Sequence, residues 1–146
     1  MKIGVSSCLL GCNCKYNGGN NYSEKLAQYL QGHEVVGVCP EVLGGLPTPR
    51  EPAEIVAGEV KRADGISVDA QFRAGAKRAL EILTEAGVEL VILQSRSPSC
   101  GVHAVYDGTF SRKVIPGEGV FAGLLKAHGI RVLDVADDEI QTAVVK

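Results

Sequence analysis

The sequence lacks long apolar runs, blocks of like charge and a recognisable export signal. Its 15 Lys and Arg residues nearly balance its 17 Asp and Glu residues, which gives a net charge of −2 and no indication of a phosphate-backbone partner. No apolar run approaches the roughly 18 residues that a membrane-spanning helix needs. The first residues contain no charged segment followed by an apolar one, as a secretory signal would. We therefore expect a cytoplasmic protein with no membrane partner.

The sequence also lacks internal repeats and low-complexity segments. Its 146 residues are 45% apolar and 22% charged, which is ordinary globular usage and excludes disordered and fibrous classes. A chain of this length buries roughly two thirds of the surface that its unfolded form exposes. We therefore expect a single domain over residues 1–146.

Short apolar runs alternate with amphipathic patterns along the chain. Apolar runs at 2–7, 34–38, 88–93 and 130–135 predict four strands covered on both faces. An Asp64-Gly65 pair between about residues 54 and 68 predicts a small antiparallel hairpin. Helices are predicted after Ser23, after Ser67 or Asp69, around residues 120–128 and after Asp137, the second of them with Phe72, Ala76, Ala79, Leu80 and Leu83 on one face.

This alternation predicts an α/β fold of three layers. Right-handed crossovers produce a mainly parallel four-stranded sheet, flavodoxin-like or Rossmann-like, with strand order 2-1-3-4 and the hairpin as an insertion. In such sheets a ligand binds beyond the carboxyl ends of the strands, near the switch in strand order.

Three of the five cysteines follow the ends of predicted strands. Cys8 follows the first, Cys39 the second and Cys100 the third, so the fold would bring them to one edge of the sheet. Five is an odd number, and in a reducing compartment metal binding or catalysis is favoured over a disulfide framework. The sequence therefore predicts a thiol site assembled from distant residues.

Thiolates are ligands for zinc, copper(I) and iron–sulfur clusters. The chain has neither the paired C-x₂-C spacing of closed zinc sites nor the C-x₂-C-x₂-C run of ferredoxins. Three ligands on separate loops would leave one iron of a cubane without a protein ligand, which is the open position that a catalyst needs. The alternative is that a cysteine is simply a buried small side chain, the interpretation favoured for Cys12 and Cys14.

Five motifs together resemble the thiouracil desulfidase family, and their order and spacing extend over nearly the whole chain. The resemblance implies a [4Fe-4S] cluster, with Cys8, Cys39 and Cys100 as its ligands and with Glu41 and Ser97 in catalytic roles beside it. The motifs are Ser7-Cys8-Leu9-Leu10-Gly11, Lys15-Tyr16-Asn17-Gly18, Cys39-Pro40-Glu41-Val42, Gly44-Gly45-Leu46-Pro47-Thr48-Pro49-Arg50 and Ser97-Pro98-Ser99-Cys100-Gly101.

The chemistry suits these residue types. Glu41 would be the general base for an attacking water, and Ser97 would orient the substrate or relay a proton. Lys15, Asn17 and Arg50 are candidates for binding the nucleobase or a phosphate, with solvated surface charge as the alternative. The alternative for Glu41 is a helix-cap or hairpin carboxylate that faces solvent, and the alternative for Ser97 is ordinary turn chemistry before Pro98.

The predicted function is [4Fe-4S]-dependent, hydrolytic removal of sulfur from a thiolated nucleobase. The modest net charge favours a small-molecule base or nucleoside over a base in RNA. Two alternatives stay open: a metal-free cysteine-based sulfur carrier or redox protein, and a non-catalytic nucleobase-binding module. The lack of a Walker or G-x-G-x-x-G glycine pattern counts against the second alternative.

Overall fold

The computed structural model describes residues 1–142, so the last four residues of the predicted domain, 143–146, lie outside the described part. Within it the strands are β1 (Lys2–Ser6), β2 (Glu34–Val38), β3 (Ala53–Val56), β4 (Glu59–Arg62), β5 (Leu90–Leu93), β6 (Ala104–Tyr106), β7 (Val114–Pro116) and β8 (Arg131–Asp134). The α-helices are α1 (Glu24–Tyr29), α2 (Pro40–Leu43), α3 (Asp69–Ala86), α4 (Val120–Ala127) and α5 (Asp138–Gln141). No helix in this part of the chain combines the length and the apolar character needed to cross a membrane.

The central sheet is parallel and has the order β2-β1-β5-β8. Counting only these four strands, this is the predicted order 2-1-3-4, and the predicted α/β class is confirmed. Val5 of β1 lies opposite Ile92 of β5, and Ser6 lies opposite Val38 of β2. The carboxyl ends of β1, β2 and β5 therefore lie side by side.

The sheet is covered by helices on both faces. In β5, Leu90 and Ile92 belong to the apolar cluster that includes Leu26 of α1 and Ile140 of α5. The alternate residues, Val91 and Leu93, belong instead to the cluster formed with α3 and α4. Because successive side chains of a strand point to opposite faces, a strand buried on both faces must be apolar throughout. This requirement explains the uninterrupted apolar run that predicted β5.

The predicted turn of the hairpin is wrong. Strands β3 and β4 pair antiparallel around Ala57 and Gly58, whose φ angles of 50° and 83° suit a two-residue hairpin loop. Asp64 and Gly65 form a second turn further on, closed by a 2.9 Å hydrogen bond from the Arg62 amide to the Ile66 carbonyl. Alanine rarely adopts a positive φ, so the sequence pattern favoured the Asp-Gly pair.

Two elements near the site were not predicted. One is α2, a single turn that follows Cys39, and the other is the antiparallel hairpin of β6 and β7. Helix α3 begins at Asp69, directly after Val68, so Asp69 lies in the first turn and not at the capping position. Its carboxylate accepts a 3.0 Å hydrogen bond from the Val60 amide and so links α3 to β4.

Candidate metal centre and active site

A cavity of about 500 Å³ lies beyond the carboxyl ends of β1, β2 and β5. Cys8, Cys39 and Cys100 all line it, and so do Glu41 and Ser97. Residues that are far apart in sequence are therefore brought to one place by the parallel sheet, at the edge where such folds bind ligands. A groove of about 710 Å³ lies elsewhere, between α3 and α4, and is lined by both apolar and charged side chains.

Cys8 lies in a 3₁₀ turn, Ser7–Leu10, immediately after β1. The side-chain amide of Asn21 donates to its Sγ over 3.5 Å, and the Asn21 backbone amide donates to its carbonyl over 2.9 Å. Burial raises the pKa of the Cys8 thiol; the Asn21 hydrogen bond opposes this shift, and neighbouring Cys39 and Glu41 add to it. Asn21 therefore holds the Cys8 sulfur in place and donates to it.

Cys39 directly precedes α2, and Pro40 occupies the first helical position, where its lack of an N–H has no cost. This turn is held against α3 by two glycines. A Cβ on Gly75 would lie 1.8 Å from the Pro40 carbonyl oxygen, and a Cβ on Gly44 would lie 2.0 Å from the Gln71 carbonyl oxygen. The two backbones touch only because both residues are glycine, and this contact fixes the turn that carries Glu41.

Cys100 lies in a turn, residues 97–101, that is closed by a 2.9 Å hydrogen bond from the Gly101 amide to the Ser97 carbonyl. The Ser99 carbonyl accepts hydrogen bonds from the amides of Phe121 at 2.8 Å and Ala122 at 3.1 Å. These amides belong to the first turn of α4 and would otherwise lack partners. The turn and the start of α4 thus stabilise each other.

The Cys100 side chain is buried, with 5% of its surface exposed. Burial raises the pKa of its thiol to about 12, although hydrogen bonds from the hydroxyls of Ser6 and Ser99 act in the opposite direction. Cys14 is also buried and lines the cavity. Burial raises the pKa of the Cys14 thiol as well, and the neighbouring Cys39 raises it further.

Glu41 is the centre of a polar network. Its Oε1 accepts a 3.1 Å hydrogen bond from Arg50 Nε, and its Oε2 accepts a 2.9 Å hydrogen bond from the Ser99 hydroxyl. The Ser97 hydroxyl lies 2.9 Å from the Ser99 hydroxyl. The two residues that the resemblance singled out, Glu41 and Ser97, are therefore connected through a third.

The three predicted substrate-binding residues have different positions. Lys15 lines the cavity, with its Nζ 5.8 Å from the centre of the Tyr16 ring. Within residues 1–142 the cavity lining does not include Asn17, whose side-chain oxygen accepts a 2.9 Å hydrogen bond from the Gly19 amide. Arg50 lines the cavity, and its Nη2 donates to the Cys14 carbonyl over 2.9 Å. Its guanidinium is therefore largely engaged by the protein.

Sequence reasoning missed several residues of this site. Glu54 is buried beside the cavity, and its Oε1 accepts hydrogen bonds from the amides of Gly108 at 3.0 Å and Phe110 at 3.1 Å. These amides belong to the loop between β6 and β7, which brings Phe110 and Arg112 to the cavity wall. A carboxylate next to the apolar run Ile55-Val56 was the available signal for Glu54, and Ser99 adjoins a predicted ligand.

The cysteines of the cavity wall are soft sulfur donors of the kind that iron–sulfur clusters use. Among the residues that the structure describes, no three His, Cys, Asp or Glu side chains are close enough together to hold one metal ion. Cys8, Cys39 and Cys100 line the cavity from three separate segments, so each could bind a different iron of one cluster. Soft sulfur donors suit iron–sulfur chemistry, and the protonated thiols of Cys8 and Cys100 would release their protons on binding.

Comparison with known proteins agrees with this geometry. A family model described as 2-thiouracil desulfurase matches residues 3–137. The chain is 44% identical over 139 residues to the uncharacterized protein YbbK of Bacillus subtilis (strain 168), covering 88% of this chain and 92% of that protein. A solved structure described as a [4Fe-4S]-dependent thiouracil desulfidase, TudS, is 39% identical, with a TM-score of 0.86 over 97% of this chain and 94% of that one. The resemblance inferred from the motifs is confirmed, and the chain belongs to the 2-thiouracil desulfurase family.

Proposed function

We propose that this protein is a [4Fe-4S]-dependent desulfidase that replaces the sulfur of a thiouracil-like base with oxygen. The observation that carries the proposal is the arrangement of Cys8, Cys39, Cys100 and Glu41 around one cavity. Membership of the 2-thiouracil desulfurase family and the likeness to a [4Fe-4S]-dependent thiouracil desulfidase support the same activity. The reaction is hydrolytic: C=S and water give C=O and hydrogen sulfide, without an external oxidant or reductant.

Cys8, Cys39 and Cys100 are the proposed cluster ligands. Each is the first cysteine after a strand of the parallel sheet, and each lines the cavity. When bound through three cysteines, the cluster supplies an iron with an open coordination position, a Lewis acid suited to sulfur. Cys14 contributes to the cavity wall, and the exposed Cys12 is not part of the proposed ligand set.

Glu41 is the proposed general base. Arg50 donates a hydrogen bond to one carboxylate oxygen of Glu41, and Ser99 donates one to the other oxygen. Each oxygen has a second lone pair, which can accept a proton from water. Water attacks the carbon that bears the sulfur, Glu41 accepts the proton of the attacking water, and the C–S bond breaks as the sulfur leaves. Ser97 orients the substrate or relays a proton beside Glu41.

The substrate contacts are proposed at the mouth of the cavity. Lys15 and Arg50 line the cavity, and Arg50 also holds Glu41, whereas Asn17 is outside the cavity lining among the described residues and remains a candidate from the sequence alone. The near-neutral net charge favours a free base or nucleoside over a base in RNA. We place the enzyme in the cytoplasm, with residues 1–146 as one domain.

Anaerobic reconstitution with iron and sulfide tests the proposal. The expected product is a protein that binds about four irons and four sulfides and converts thiouracil to uracil with stoichiometric release of sulfide. Replacing Cys8, Cys39 or Cys100 with serine should abolish both cluster binding and activity. Cys12→Ser is the matched control, because Cys12 is exposed, and it should retain both.

Two outcomes would contradict the proposal. Wild-type protein that binds no iron under these conditions would exclude the cluster. Activity that survives complete removal of iron by a chelator would favour the metal-free sulfur carrier instead.

A further inference from the structure

Ser99 lies between the two proposed catalytic residues. Its side chain is buried, with 1% of its surface exposed, and its hydroxyl is 2.9 Å from Glu41 Oε2 and 2.9 Å from the Ser97 hydroxyl. Within this network Glu41 and Ser97 are thus linked through Ser99. A buried hydroxyl in such a position is either a coincidence of the turn or a part of the active-site machinery.

The hydrogen bonds of Ser97 fix the direction of the network. A hydroxyl has two acceptor lone pairs and one proton. The Ser97 oxygen accepts from the amides of Ser99 and Cys100, both at 3.1 Å, so its acceptor positions are filled. Ser97 must therefore donate its proton to Ser99, and Ser99 must donate its own proton onward.

Ser99 has two possible acceptors for that proton. Glu41 Oε2 lies 2.9 Å away, and the sulfur of Cys100 lies 3.6 Å away. The carboxylate is the stronger acceptor because it is charged, and it is paired with the Arg50 guanidinium at its other oxygen. The network therefore runs in one direction, from Ser97 through Ser99 to Glu41.

We propose that Ser99 is a positioning residue that joins Ser97 and Glu41 into one unit. This inference rests on the proposed function, since it assigns a role within the same site. The Ser99 hydroxyl fixes the rotation of the Glu41 carboxylate and the direction of the Ser97 proton. Without it, both groups would lose a partner in a partly buried site and would no longer be held in their reactive orientations.

The first test is Ser99→Ala in reconstituted enzyme. We expect kcat to fall about 100-fold with little change in KM, because the substrate still binds but the reacting groups are misaligned. Iron content should equal that of the wild type. Ser67→Ala is the matched control, since Ser67 is exposed and does not line the cavity, and it should leave kcat unchanged.

Two further variants distinguish a positioning role of Ser99 from a purely structural one. Ser99→Thr retains the hydroxyl, so its kcat should be at least tenfold higher than the kcat of Ser99→Ala, provided that the added methyl group fits. Should threonine fail to fold, the double variant of Ser99→Ala with Glu41→Gln decides the matter. Residues that act as one unit are non-additive, so the double variant should be little slower than Glu41→Gln alone. Additive losses, or an unchanged kcat in Ser99→Ala, would overturn the proposal.

A structural measurement decides the proposal independently of the cluster. In a crystal structure of cluster-free Ser99→Ala, the Glu41 carboxylate and the Ser97 hydroxyl should have rotated away from their wild-type positions. Both side chains remaining in place would contradict the positioning role. If instead the wild-type enzyme binds no iron, the proposed function fails, while this measurement still reports on Ser99.

Discussion

Arg50 and Glu41 form an ion pair that is almost removed from solvent, with 3.1 Å between Nε and Oε1 and side chains that are 7% and 17% exposed. The same guanidinium donates to the Cys14 carbonyl over 2.9 Å and to the Pro47 carbonyl over 3.2 Å. One side chain thus connects the proposed base to the segment that follows the first cysteine. The orientation of Glu41 depends on this connection.

Arg50→Lys should therefore lower kcat even though it conserves charge. A lysine ammonium cannot reproduce the planar fork that serves the Glu41 carboxylate and two carbonyls together. We expect a loss of at least about tenfold in kcat and of about 2 kcal/mol in the free energy of unfolding. Arg78→Lys is the control, since the Arg78–Glu81 pair is exposed and contributes little. Equal effects of the two substitutions in activity assays and denaturant titrations would contradict this prediction.

Gly75→Ala should destabilise the protein and damage the site. The new Cβ would lie 1.8 Å from the Pro40 carbonyl oxygen, so α2 and α3 would have to separate. We expect a loss of about 3 kcal/mol by chemical denaturation, together with reduced activity. Gly123→Ala in α4 is the matched control, because the atoms nearest to its Cβ belong to the flexible Glu118 side chain and alanine favours the helix. It should be neutral or slightly stabilising.

Glu54→Ala should loosen the loop between β6 and β7. It removes the acceptor for the amides of Gly108 and Phe110, so hydrogen exchange at both amides should accelerate. Because this loop brings Phe110 and Arg112 to the cavity, KM should rise more than kcat falls. Glu59→Ala, at an exposed position on β4, serves as the control. Unchanged exchange in Glu54→Ala would exclude the anchoring role.

The Asp69 carboxyl should make the free energy of unfolding depend on pH in the acid range. Burial raises the pKa of its carboxyl, but hydrogen bonds from the Val60 amide and Arg73 outweigh burial and give a net lowering. A lowered pKa contributes stability that is complete above the unfolded value of about 3.9 and is lost as the pH falls through the folded value. The difference in Tm between wild type and Asp69→Asn should thus be present at pH 7 and shrink below about pH 4. A difference that is constant with pH would contradict the assignment.

Cluster-free protein should show a fixed order of thiol alkylation. Cys12 is exposed and should react first with iodoacetamide, whereas Cys100 is buried and its thiol pKa is raised to about 12, so it should react last. Mass spectrometry of a time course at pH 8 gives the order. Full denaturant should abolish the difference, and early modification of Cys100 in native protein would contradict the structure.

The sequence was sufficient to predict the parallel sheet and the placement of Cys8, Cys39 and Cys100 at one edge of it. Uninterrupted apolar runs such as that of β5 reflect burial on both faces, and parallel strands necessarily end at the same edge. The hydrogen bond between Ser99 and Glu41 joins residues 58 positions apart, and no local pattern encodes it. The same holds for Glu54, whose partners come from an unpredicted hairpin. Local chemistry predicts elements, and only the packed structure pairs their side chains.

The hydrogen bonds between the 97–101 turn and the start of α4 have a consequence for the stability of the proposed cluster site. The carbonyls of Pro98 and Ser99 accept hydrogen bonds from Val120, Phe121 and Ala122, so this turn can open only when the first turn of the helix unwinds. Cys100, which is buried within this turn, should therefore open together with the start of α4. Because these contacts are backbone hydrogen bonds of the protein itself, the anchor of Cys100 does not depend on a bound cofactor.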